Sequence, residues 1–371
     1  MSKTSSNWIE DRISQLLNFR IYSGGESLYQ ISNRLGVKME KLAKMNSNEN
    51  FYLDRNLLTE KISEVLTELD VRTYAQFEVQ ALTEKISHWL GIESNKVIVG
   101  NGSDQLLEII GRIFLKGDKD AISISPTFTY YRTLVTLEGG KYIDVPLRRN
   151  FDLDVNALLN ACTPKTTLCL LCSPNNPTGN KFKKDTLIDF IERFNGIVVL
   201  DEAYADFSDY QMYSEVDNHP NLIVLRTFSK LFAFAGLRLG YTVTNQRLIR
   251  VLSKLQQPYA VSTLTLRVGL KMLDEMEKVI AAKDRMVVQR EKLLIELNQI
   301  EGVKAFPSDA NFILFKTSKN SKFVLEELIK KYILVRYIRD VLHLGNCLRT
   351  TVGLPKMNKH LLDALEEIMN K

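Results

Sequence analysis

The chain has 371 residues, 45% of them hydrophobic and 25% charged, with 49 Lys and Arg against 44 Asp and Glu. That length and composition exclude a mainly disordered chain and leave room for two domains. The excess of +5 is interspersed along the sequence, which reads as a solvated surface and argues against nucleic-acid binding.

Residues 1–10 are polar and lack the apolar stretch of a signal peptide, and no run approaches the roughly 18 apolar residues of a membrane span. A cytoplasmic protein without membrane association is expected. Cys162, Cys169, Cys172 and Cys347 are too few for a disulfide scaffold. Cys169 and Cys172 form a C-x-x-C, but in an apolar run where a strand points positions i and i+3 to opposite faces, so a buried structural pair is the better reading. His88, His219, His343 and His360 are scattered, and metal catalysis has no support.

In chain order, β-branched runs at 96–99, 120–124, 141–146, 167–172, 196–200, 221–225 and 237–243 alternate with helical patterns. This predicts an α/β fold with a largely parallel sheet covered by helices on both faces. Beyond about residue 257 the texture changes to helices at 263–276 and 279–297, strands at 310–315 and 333–336, and a closing helix at 356–369. A smaller α+β domain is expected there. No Pro/Gly-rich linker, internal repeat or low-complexity segment interrupts the chain.

In open α/β sheets ligands bind beyond the carboxyl ends of the strands, and the polar motifs fall there. Gly100-Asn101-Gly102-Ser103-Asp104 opens a helix at 105–114, either as a phosphate cradle of free amides or as a plain turn with an Asp cap. Cys172-Ser173-Pro174-Asn175-Asn176-Pro177-Thr178-Gly179 follows the next such strand as a rigid polar turn, structural or functional. Asp201-Glu202-Ala203-Tyr204 places a carboxylate at the end of an apolar strand, where it is costly unless paired or used as a helix N-cap. Residues 221–228 run into Ser229-Lys230, and eight residues on comes Arg238 within Ala235-Gly236-Leu237-Arg238-Leu239-Gly240-Tyr241. A lysine held at a strand end, with a guanidinium matched to phosphate nearby, fits Schiff-base chemistry on a phosphorylated carbonyl cofactor.

Taken in this order, the motifs make the chain resemble the fold-type I transferases dependent on pyridoxal 5'-phosphate (PLP), and within them the histidinol-phosphate aminotransferase family, particularly its archaeal forms. The likeness runs from Leu42-Ala43-Lys44-Met45-Asn46-Ser47-Asn48-Glu49-Asn50 to Cys347-Leu348-Arg349-Thr350-Thr351-Val352-Gly353. It implies a large PLP-binding domain at 51–262 with a mostly parallel seven-stranded sheet, an arm and part of the small domain at 1–50, and a small domain at 263–371.

The resemblance also implies roles. Lys230 carries the cofactor as a Schiff base and shuttles the proton, Asp201 pairs with the pyridinium nitrogen, and Asn176 and Tyr204 hold the ring oxygen. Phe128 stacks on the ring, although ordinary core is an equal reading for it. Gly102, Ser103, Asp104, Thr227, Ser229 and Arg238 form the phosphate cup; Thr227 alone reads equally as a cap or cross-link of a strand end. Tyr74 reaches the neighbouring site of a homodimer, with Ala75 where the family has proline.

For the substrate, Arg349 and Arg336 match the family's anion-gripping arginines, and Tyr22, Asn48 and Glu49 match its pocket lining, with Phe51 in place of proline. Residues before 51 read equally as a packing arm or dimer contact. The implied reaction is transamination between L-histidinol phosphate and 2-oxoglutarate. The nearest alternatives are an aromatic or broad amino-acid aminotransferase and a threonine-phosphate decarboxylase. A silent regulator is opposed by the intact Lys230 and Asp201. A dinucleotide-binding oxidoreductase is opposed by the missing third glycine and strand-end acid.

Overall fold

The structure is a computed structural model and describes residues 7–17, 26–209 and 211–371. Its strands in chain order are β1 (Ala43–Lys44), β2 (Val97–Gly100), β3 (Asp120–Ser125), β4 (Tyr142–Pro146), β5 (Thr166–Cys172), β6 (Ile197–Asp201), β7 (Leu222–Thr227), β8 (Gly240–Thr244), β9 (Val303–Ala305), β10 (Phe312–Thr317), β11 (Ile333–Leu334), β12 (Arg336–Ile338) and β13 (Cys347–Thr351). Seven of them form one sheet in the order β2-β8-β7-β6-β5-β3-β4. Pairing is parallel throughout except that β8 runs antiparallel to both its neighbours.

The central strands are apolar without alternation because both faces are covered. β5, β6 and β7 read Thr-Thr-Leu-Cys-Leu-Leu-Cys, Ile-Val-Val-Leu-Asp and Leu-Ile-Val-Leu-Arg-Thr, and nearly every residue is buried. Helix Gly102–Phe114 turns Leu106, Leu107, Ile109 and Ile110 into this core. The expected seven strands are all present, with ends displaced by up to three residues: the run expected at 237–243 begins only at Gly240.

In register, Cys172 lies beside Asp201, Asp201 beside Leu225, and Thr227 beside Gly240, which in turn pairs with Gly100. The carboxyl ends of β2, β5, β6 and β7 therefore meet the amino end of β8 along one edge. Gly240 makes this possible: a Cβ there would stand 2.4 Å from the Ser103 nitrogen.

The C-terminal part departs from expectation. The strand expected at 333–336 is two strands in different sheets: β11 pairs with β1, while β12 joins a four-stranded sheet of order β12-β13-β10-β9. Val335, 6% exposed, marks the change. β1, β9 and β13 are not expected from the sequence, because β1 and β9 are only two and three residues long and β13, Cys-Leu-Arg-Thr-Thr, has little apolar content. One hydrophobic cluster runs from the large sheet through Phe312, Ile313 and Leu314 of β10 to Leu361 and Leu365 of helix Pro355–Asn370.

Candidate active site

Lys230 lies in a four-residue helix, Phe228–Leu231, directly after β7, and Thr227 caps that helix by accepting from the Ser229 N–H at 3.1 Å. Thr227 thus serves as the strand-end cap whatever else it binds. The half-buried Lys230 amine donates to the Ser47 carbonyl at 3.3 Å. Desolvation, helped by the positive charge of Arg349, pushes its pKa down to about 8, against the opposing pull of Glu49. An amine so placed is still mostly protonated near neutral pH, but it gives up its proton far more readily than an ordinary lysine, as a nucleophile requires.

Asp201 ends β6 and is 5% exposed. Burial pushes its pKa up to about 6, while two donors hold it: the Tyr131 hydroxyl to Oδ2 at 2.8 Å and the Ala203 N–H to Oδ1 at 3.0 Å. Among the described residues no Lys, Arg or His forms a salt bridge with it. A displaced amine and a displaced carboxyl in one cleft mark a functional site.

Tyr131 was missed in the sequence. The available signal was its place three residues after Phe128, which puts both rings on one side of the helix start; their centroids are 5.5 Å apart, edge to face. Phe128 is half-buried at the cleft.

The two asparagines of the proline-rich turn divide their work. Asn175 is fully buried and knits the turn, accepting from Thr127 at 2.8 Å and donating to Pro126 and Thr178. Asn176 faces the cleft and accepts from Arg349 through Oδ1. Tyr204, also buried, accepts from Asn48 Nδ2 at 3.0 Å and lies under the Lys230 amine, 5.7 Å from ring centre to nitrogen. Asn48 is the hinge of its segment, with φ at 54° and its N–H on the Thr351 hydroxyl.

The glycine-rich turn begins its helix at Gly102, earlier than expected, with no side-chain cap from Asn101. Gly102 has φ at +76°, and a Cβ would lie 2.7 Å from an Arg238 nitrogen. The arginine and the turn are thus fitted to each other, with Arg238 donating to Asp104 at 2.8 Å and reaching Ser229 at 3.5 Å. Asp104 consequently acts as the holder of Arg238, and its neighbour Ser103 occupies the first helical turn, where amides are free to meet an anion.

Arg349 on β13 donates to Asn176 and to the Asn46 carbonyl at 3.0 Å, over the Phe312 ring at 5.1 Å. Arg336 is its register partner on β12. Glu49 accepts from Lys44 at 2.5 Å, a residue the sequence reading passed over. Tyr74 is 72% exposed and stacks on Tyr259 at 4.4 Å, facing outward instead of joining the Lys230 cluster. Tyr22 lies outside the described residues.

Behind the cleft sits a group not foreseen. Arg226, fully buried in β7, donates to Glu202 at 2.8 Å and to Asp206, with Tyr213 stacked 5.6 Å away.

These residues fit a cofactor with an aldehyde, a phosphate and a protonated ring nitrogen: an available amine, a fitted Gly102–Arg238 cup and a buried carboxylate without a cation. Among the described residues no cluster of His, Cys, Asp and Glu is arranged to hold a metal, and no helix is long and apolar enough to cross a membrane.

The profile of the aminotransferase class I and II family matches residues 40–365, and the chain belongs to that family. Within it, the chain is similar to histidinol-phosphate aminotransferases. The one from Christiangramia forsetii is 35% identical over 303 residues, covering 80% of this chain and 86% of its own. The one from Ruminiclostridium cellulolyticum is 32% identical and covers 97% of this chain and 99% of its own. In fold, the crystal structure of the Sinorhizobium meliloti histidinol-phosphate aminotransferase in complex with pyridoxal-5'-phosphate superposes with a TM-score of 0.86 at 20% identity, over 100% of this chain and 98% of that one.

Proposed function

We propose that this protein transfers the amino group between L-histidinol phosphate and 2-oxoglutarate, as a PLP-dependent homodimer in the cytoplasm. The observation that carries the substrate is the pairing of Arg336 with Arg349: two cations side by side on one face suit a phosphate better than a single carboxylate.

Bound PLP supplies an electron sink for the negative charge that develops at the substrate Cα. Lys230 would hold the cofactor through Nζ and would take the substrate Cα proton at that atom, a task suited to an amine that burial pushes down to about 8. Asp201 would accept from the ring N–H, and among the described residues no Lys, Arg or His forms a salt bridge with it. Asn176 and Tyr204 hold the ring oxygen, Asn48 keeping the Tyr204 hydroxyl in place. Gly102, Ser103, Thr227, Ser229 and Arg238 receive the cofactor phosphate, with Asp104 bracing Arg238, and Phe128 covers the ring. Arg349 takes the substrate phosphate with Arg336 in one half-reaction and a glutamate carboxylate in the other, and Glu49 lines the same pocket.

The dimer is supported by exposed apolar side chains around Tyr74: Val71 at 76%, Phe77 at 61% and Tyr259 at 57%. We assign residues 1–50 to the arm and part of the small domain, 51–262 to the large domain and 263–371 to the small one.

The test is a set of half-reactions followed by cofactor absorbance. Histidinol phosphate and glutamate both convert the cofactor to its amine form; conversion by glutamate and phenylalanine without histidinol phosphate would refute the substrate, and carbon dioxide release from threonine phosphate would replace the reaction.

A further inference from the structure

Asp201 is held in an unusual way for a buried carboxylate. Such groups are ordinarily paired with a cation. Here both oxygens are anchored by neutral donors, the Tyr131 hydroxyl on Oδ2 and the Ala203 N–H on Oδ1, at 2.8 and 3.0 Å. A neutral donor stabilises the carboxylate and fixes its rotamer without cancelling its charge. An arginine in the same place would use up the charge that the ring nitrogen needs.

We propose that Tyr131 is a positioning residue for transamination: its phenol fixes Asp201 as an oriented, ionised carboxylate before the cofactor arrives. The inference rests on reading Asp201 as the partner of the ring nitrogen.

Tyr131 is suited to this. It is 0% exposed, so the hydroxyl has no water to compete for it. Its backbone N–H donates to the Phe128 carbonyl at 3.2 Å, and its ring meets the Phe128 ring edge to face. One short stretch thus carries both the ring that covers the cofactor and the phenol that sets its acid partner.

The groups facing Asp201 come from four other elements. Cys172 lies beside it on β5 with its thiol donating to the Pro174 carbonyl, Asp104 approaches from helix Gly102–Phe114, Lys230 from the helix after β7, and Tyr204 from the turn after β6. Asp104 favours the protonated carboxyl and Lys230 the ionised one, while burial opposes ionisation most strongly. The phenol is the largest influence holding the charge.

The bland alternative is that a buried phenol merely found an acceptor. Tyr131→Phe separates the two, compared with Asp201→Asn and the double variant, in the holoenzyme and after cofactor removal. The carboxyl of residue 201 is titrated in cofactor-free protein by carbon-13 NMR of labelled aspartate, with Asp201→Asn assigning the signal. Tyr131→Phe raises that titration midpoint by roughly one pH unit, a tenfold change in proton affinity, and weakens cofactor binding near neutral pH. It also shifts the pH titration of the bound cofactor's visible absorbance. In the Asp201→Asn background the added change has no effect on either cofactor readout. A fluorinated tyrosine at 131, equal in shape and a stronger donor, moves the carboxyl midpoint downward and serves should the phenylalanine variant fold poorly.

An unmoved carboxyl midpoint with only a lowered melting temperature overturns the inference. Wild-type cofactor affinity in Asp201→Asn instead refutes the reading of Asp201, while the cofactor-free titration still decides whether Tyr131 governs its charge.

Discussion

Arg336 and Arg349 are register partners on the antiparallel strands β12 and β13, so their side chains leave the sheet side by side on one face. Like charges in that position are unfavourable in themselves, and a doubly charged anion relieves the repulsion. Arg336→Ala is expected to lower kcat/KM for histidinol phosphate by roughly 10- to 100-fold, the loss of one charge-assisted hydrogen bond of about 1.5–3 kcal/mol. The glutamate half-reaction, served by Arg349, stays close to wild type. Equal loss on both sides removes Arg336 as a phosphate ligand.

Burial holds the Lys230 amine down at about 8 in the fold, against 10.5 for a free lysine side chain. Between those values the unfolded chain binds more protons, so stability rises with pH, and the penalty is fully present below about pH 8. Lys230→Met therefore stabilises cofactor-free protein near pH 7 by roughly 1–3 kcal/mol, discounted for the lysine's partial exposure. The gain shrinks toward about pH 10. Urea unfolding at both pH values checks the sign.

Asp201 works in the opposite direction. Its carboxyl is raised from 3.8 to about 6, so the folded state binds the proton more tightly and stability falls as pH rises through that window. Asp201→Asn is expected to stabilise cofactor-free protein by roughly 2–3 kcal/mol above pH 6, with no gain near pH 4. Calorimetry of the two proteins across that range reads the effect directly.

Gly102 carries φ at +76° under the Arg238 guanidinium. Gly102→Ala strains the backbone by roughly 1–2 kcal/mol and pushes Arg238 aside. Cofactor affinity, measured by absorbance titration, is expected to fall by more than the change in melting temperature accounts for.

Arg226 holds two buried carboxylates apart. Arg226→Met leaves Glu202 and Asp206 uncompensated and is expected to destabilise by roughly 3–5 kcal/mol, visible in urea unfolding. Adding Glu202→Gln and Asp206→Asn recovers most of it.

What the sequence made legible follows from where its information is local. Apolar runs bounded by polar turns mark the large sheet, and its loops carry the candidate residues that the structure brings to one cleft: Lys230, Asp201, Asn176 and the Gly102 turn. Contacts between distant segments left no such trace. Nothing near Tyr131 announces Asp201, seventy residues on, and nothing in β7 says that Arg226 finds Glu202 instead of solvent. Asn175 and Asn176 are identical in type and adjacent, yet one builds the turn and the other meets Arg349. The strand expected at 333–336 failed because its second half answers to β13 and its first to β1, a division set by partners that no local propensity encodes.

The register of β6 carries a consequence for how this chain tolerates change. Asp201 reaches the cleft because Leu200 and Cys172 align as they do against their neighbours. Side chains along a strand alternate faces, so inserting or deleting a single residue in β6 turns the carboxylate toward the opposite layer of helices. Ile197, Val198 and Val199 can exchange with one another at small cost, whereas their number cannot change. For this strand, length is the heritable feature and spelling is secondary.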